Sequence, residues 1–94
     1  MSKVEVTAAV VRDGWDCTVT VRNGIETRHH VHVARTDLDR LAPGASDPVS
    51  LVEASFAYLL ERETKESILR EFDLTVIGRY FPDYEREIVH RLPR

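Results

Sequence analysis

Apolar and polar side chains alternate along the first part of the chain. Val4, Val6, Ala8 and Val10 fall on one side of an extended segment, opposite Glu5, Thr7, Ala9 and Val11. After a short break, Trp15, Cys17, Val19 and Val21 alternate with Asp16, Thr18, Thr20 and Arg22. A period of two with one apolar side is the signature of a strand whose single face is buried. Asp13-Gly14 separates the two runs and favours a two-residue type I′ turn, because both turn positions need positive φ. That turn sets Val10 across from Cys17, Ala8 across from Val19 and Val6 across from Val21, with Glu5 facing Arg22 on the other side. A similar two-residue turn at Asn23-Gly24 would bring Glu26 and Arg28 onto the core face, so a three-residue loop with Gly24 left-handed is expected instead. Ile25, Thr27, His29, Val31 and Val33 then face inward, and Glu26, Arg28, His30 and His32 face outward.

The spacing changes to three and four in the second half. Thr36 to Asp39 has the rhythm of a capping box and predicts a single short turn over 36–41. Asp47-Pro48 opens the strongest helix, with Val49, Val52, Phe56, Leu59 and Leu60 on one side and Leu51, Ser55 and Tyr58 on a second flank. Ile68, Leu69 and Phe72 predict a further helix, and Leu74, Ile77 and Phe81 another that Pro82 ends. Tyr84, Ile88 and Leu92 form a narrow stripe on a charged final helix. Together these segments predict an α+β fold: a three-stranded antiparallel meander over about 4–12, 15–22 and 25–34, then three to four helices over about 47–63, 65–72, 74–81 and 83–92, packed on one sheet face.

Composition narrows the class without naming an activity. Ninety-four residues, 43% hydrophobic and 31% charged, make one globular domain spanning 1–94. The single Cys17 allows no internal disulfide, which suits a reducing, cytoplasmic setting. No stretch approaches the roughly 18 apolar residues of a membrane span. A net charge of −3 works against general phosphate attraction. The chain carries no Gly-rich phosphate loop, nucleophile elbow or helical metalloprotease motif, so no cofactor is expected.

Three candidate sites follow from the pattern. The first is the histidine run, in which His29, His30 and His32 are spaced by Val31 and bounded by Arg28 and Val33. The expected register puts Asp16 beside His30, so Asp16, His30 and His32 form the two-histidine, one-carboxylate set that can hold a divalent metal. It also puts inward His29 across from Cys17, the pairing a thiolate would need. The stretch from Ile68 to Phe81 resembles a helix-turn-helix with Asp73-Leu74 at the turn, which implies DNA contacts from Thr75, Arg79 and Tyr80 within 65–81. Against that, residues 62–94 balance seven basic with seven acidic side chains. Finally, Tyr84, Ile88 and Leu92 need a surface to lie on, either this domain or a partner chain. The reading that best fits the whole sequence is a non-catalytic module for binding another protein or a second copy of itself.

Overall fold

The computed structural model describes residues 3–92. Three antiparallel strands come first: β1 (Lys3–Val11), β2 (Gly14–Arg22) and β3 (Thr27–Ala34). Helices α1 (Arg35–Leu41) and α2 (Val49–Leu60) carry the chain across one face to a 3₁₀ turn at Lys65–Ser67. A short strand, β4 (Glu71–Asp73), then joins the sheet beside β3 and parallel to it. Helices α3 (Val76–Tyr80) and α4 (Tyr84–Arg91) complete the fold. The sheet is therefore mixed, in the order β1-β2-β3-β4, rather than three-stranded and wholly antiparallel. The parallel pair is possible because the α1–α2 crossover supplies the long connection such pairs require.

The predicted helix over 65–72 is replaced by the 3₁₀ turn and β4. A helix of that length has little stability alone, whereas the open side of β3 offers fixed partners. The His30 amide donates to the Arg70 carbonyl at 2.7 Å and the Leu74 amide donates to the His32 carbonyl at 2.9 Å. Ile68 still enters the core, and Phe72 lies 6.2 Å from Phe56, ring centre to ring centre. An extended chain satisfies the apolar spacing as well as a helix would. The remaining helices are shorter than expected, at 49–60, 76–80 and 84–91.

Both hairpins keep the predicted faces but slip by two residues. Val10 pairs with Trp15, Ala8 with Cys17, Val6 with Val19 and Val4 with Val21. The turn is Arg12-Asp13, because Gly14 belongs to β2, where a Cβ would overlap the Val33 carbonyl oxygen. Glu5 faces Thr20 rather than Arg22, yet reaches Arg22 diagonally at 2.8 Å. In the second hairpin Val21 pairs with Thr27 and Val19 with His29. Gly24 has the expected positive φ of 80°, but the longer loop carries Ile25 off the strand and leaves it 82% exposed.

The core lies between the inner sheet face and α2. Trp15, Cys17, Val19, Val21, Val31 and Val33 are buried beneath Val52, Phe56 and Leu59. The second flank of α2 is covered by α4. Tyr84 and Ile88 are fully buried, and the Tyr84 ring meets Tyr58 edge-on at 5.4 Å. The Ser55 hydroxyl donates to the Leu51 carbonyl at 2.7 Å and accepts from the Tyr84 hydroxyl at 2.6 Å. At the far end Arg91 clasps Glu61 through two bonds of 2.7 and 2.8 Å. Of the two covers open to the stripe Tyr84, Ile88, Leu92, offered as interaction residues, the structure packs it on its own domain: Leu92 too lies against the core. Burying each large apolar side chain contributes roughly 1.5–3 kcal/mol, which is why the stripe does not stay in water.

Candidate functional site

The strand alternation sends His29 inward and His30 and His32 outward, as expected, but the two-residue slip changes their neighbours. His29 is fully buried and stands across from Val19, while Cys17 faces Val31. The His29 Nδ1–H donates to the Leu69 carbonyl at 2.8 Å, so Nε2 accepts from the Thr27 hydroxyl at 3.0 Å. Its ring also lies 5.3 Å from that of Phe56. Burial pushes its pKa down, with Arg70 and His30 adding to the effect against the Leu69 hydrogen bond. His29 is thus a neutral core residue that ties the segment before β4 to β3. Cys17 is buried, and its thiol is pushed up to about 11, chiefly by burial. A thiolate pair does not form.

His32 has the opposite environment. Its Nδ1 faces Asp73 Oδ1 at 2.8 Å and its Nε2 faces Asp13 Oδ1 at 3.0 Å. With both ring nitrogens against carboxylates, the imidazolium is favoured, and the hydrogen bonds to Asp73 and then Asp13 raise its pKa. Burial pushes the Asp73 carboxyl up, but hydrogen bonds from His32, the Thr75 hydroxyl and the Thr75 amide outweigh it and hold the carboxyl below its usual range. Thr75 donates both groups to Asp73 Oδ2, at 2.5 and 3.0 Å. His32 therefore joins the β1–β2 turn to β4 through a carboxylate at each ring nitrogen.

This arrangement does not assemble the expected metal set. Asp16 lies across from His32, not His30, and His30 stands between Thr18 and Glu71. Both nitrogens of His32 are already engaged. Among the described residues, no group of three His, Cys, Asp or Glu side chains is arranged to hold a metal ion. The predicted DNA-contacting residues are also separated from the geometry that motivated them. Thr75 is turned onto Asp73, while Arg79 and Tyr80 are exposed at the end of a five-residue helix preceded by a strand, not by the first helix of such a motif.

A different feature lies beside them. Where the 3₁₀ turn, β4 and α3 meet the end of α2, a cleft of about 130 Å³ opens to the surface. Its walls are mainly apolar, from Leu59, Ile68, Phe72, Val76, Ile77 and Phe81, with Ser67 and Glu63 adding polar groups. Leu69, 50% exposed, and Tyr80, 68% exposed, stand at its rim, and among the described residues Glu63 is the one charged side chain lining it. The sequence concealed this site because reading 65–72 as a helix buried Leu69 among its packing residues. The two large exposed side chains are brought together only when the chain from Ile68 to Asp73 runs extended.

Comparison with protein families, curated proteins and solved structures finds no match for the chain. Among the described residues, no helix is long and apolar enough to cross a membrane.

Proposed function

We propose that this domain is a non-catalytic protein-interaction module whose cleft receives an apolar side chain from a partner protein. The observation that carries this reading is the cleft itself, open, mainly apolar and flanked by the exposed Leu69 and Tyr80. A cavity on the order of 150 Å³ accommodates a ring the size of benzene, so the space suits one aromatic or branched aliphatic anchor. Large aromatic side chains beside such pockets commonly dominate binding energy. Glu63 at the wall favours a basic group next to that anchor.

The test is selection of binders from a random peptide library, followed by mapping of bound peptides by backbone NMR shifts. Selected peptides are expected to share an apolar anchor near a basic residue, to shift residues 67–81, and to weaken at least tenfold on Leu69→Glu or Tyr80→Glu. Both substitutions lie at exposed positions, so the circular dichroism spectrum is expected to stay unchanged. Peptides that bind elsewhere, or that ignore both substitutions, would overturn the reading.

A further inference from the structure

A second surface is independent of the cleft. β1 is nine residues long and, among the described residues, pairs on one side only, with β2. The Arg35 amide donates to the Asp13 carbonyl at 3.0 Å, continuing the β2–β3 ladder. Odd-numbered residues of β2 therefore bond toward β3 and even-numbered ones toward β1. The β1 partners of those even-numbered residues are Lys3, Glu5, Thr7, Ala9 and Val11. The backbone groups of Val4, Val6, Ala8 and Val10 must then point away from β2, into the open edge.

The same four residues carry the inner-face side chains. Val4, Val6 and Ala8 are only half-buried, and Val10 is 74% exposed. Although α2 packs against β1, it covers these four side chains incompletely, so both hydrogen-bonding groups and apolar side chains remain for another strand to complete. Nothing in β1 blunts that edge: it has no proline, no bulge in its pairing and no inward-facing charge. By contrast β4, at the other edge, has three residues.

We infer that β1 pairs antiparallel with β1 of a second copy of this chain, joining two sheets into one. The strand is complementary to itself about its midpoint, Thr7. A two-fold axis there sets Val4 opposite Val10 of the second copy and Val6 opposite its Ala8, and these are the residues whose backbone groups are free. Thr7 faces its own counterpart, a favourable cross-strand pair. Lys3 meets Val11 and Glu5 meets Ala9, so no like charges are opposed. Any shift of the axis shortens the ladder, and centring it on Glu5 opposes two carboxylates. An isologous contact of this kind closes as a dimer.

Sedimentation equilibrium from micromolar to millimolar protein, combined with amide hydrogen exchange at both extremes, tests the pairing. The mass should rise toward twice that of the chain. The amides of Val4, Val6, Ala8 and Val10 should slow at least tenfold as it does, while those of Glu5, Thr7 and Ala9 change little. Ala8→Pro removes no bond to β2 and should keep the protein monomeric with an unchanged circular dichroism spectrum. Val10→Lys, at an exposed position, should weaken association at least tenfold and serves if the proline variant fails to fold. A single-chain mass throughout, or a dimer in which those four amides stay unprotected, overturns the inference. Because Tyr80→Glu leaves β1 untouched, it should not alter the mass, and failure of this pairing leaves the cleft reading where it stood.

Discussion

At the scale of single residues, two histidines three positions apart have opposite electrostatic settings, and this yields a directional prediction. His32 has its pKa raised by two carboxylates. Its contribution to stability is complete below its unfolded value, roughly 6.5, and is lost as pH rises through the higher folded value. His29 has its pKa lowered, chiefly by burial. Its contribution is present above roughly 6.5 and is lost as pH falls from there through the lower folded value. Urea unfolding across pH 4–9 should therefore show His32→Gln losing most stability on the acid side of neutrality and approaching the wild type in alkali. His29→Leu keeps an apolar filling but leaves the Leu69 carbonyl without its donor, a loss of about 1–3 kcal/mol, and flattens the acid limb of the profile. Imidazole titrations by NMR that move both rings in the same direction would contradict these assignments. Strand alternation alone revealed which way each ring points. The burial that lowers the pKa of His29 and the carboxylates of Asp73 and Asp13 that raise that of His32 are set by distant parts of the chain and left no local trace.

At the scale of elements, faces were legible where register was not. A slip of two residues preserves the face of every residue that stays on a strand, so alternating apolar residues specify the core side of β1, β2 and β3 without choosing between the two pairings. The glycines make the difference measurable. Both Asp13-Gly14 and Asn23-Gly24 read as turn signals, yet only Gly24 has positive φ, while Gly14 lies within β2 against the backbone of β3. Gly24→Ala should cost about 1 kcal/mol, the strain of a left-handed residue in open space. Gly14→Ala must move the Val33 carbonyl and open the β2–β3 ladder, and should cost several times more, as read from chemical denaturation midpoints. Equal effects at the two positions would mean that Gly14 sits in the turn after all. The missed β4 has a related cause. Ile68 and Phe72 are spaced as on a helix, and the bonds that hold the segment extended are made to β3, some forty residues earlier.

At the scale of the whole molecule, α4 closes the structure rather than extending from it. Sheet, α2 and α4 form successive layers, and Tyr58 connects the last two through its edge contact with Tyr84 and the Arg91 guanidinium 5.5 Å from its ring centre. The sequence showed that Tyr84, Ile88 and Leu92 needed a cover and that α2 had a second apolar flank, but periodicity gives faces and not pairings, so it could not join them. A domain of this size is stable by about 5–15 kcal/mol. Ile88→Ala should remove about 2–5 kcal/mol of that, and Ile88→Asp, by placing an unpaired carboxylate among apolar neighbours, should unfold the chain. If α4 is integral, the loss in Ile88→Asp is cooperative: near-ultraviolet dichroism from buried Trp15 disappears together with amide protection in β2 and β3. If α4 is instead a separable arm, the sheet keeps its protection while only residues 84–91 lose theirs, and the stripe regains its standing as a surface for another chain. Since Tyr84 is hydrogen-bonded to Ser55 within the helix that also supports the sheet, the first outcome is the one the packing requires.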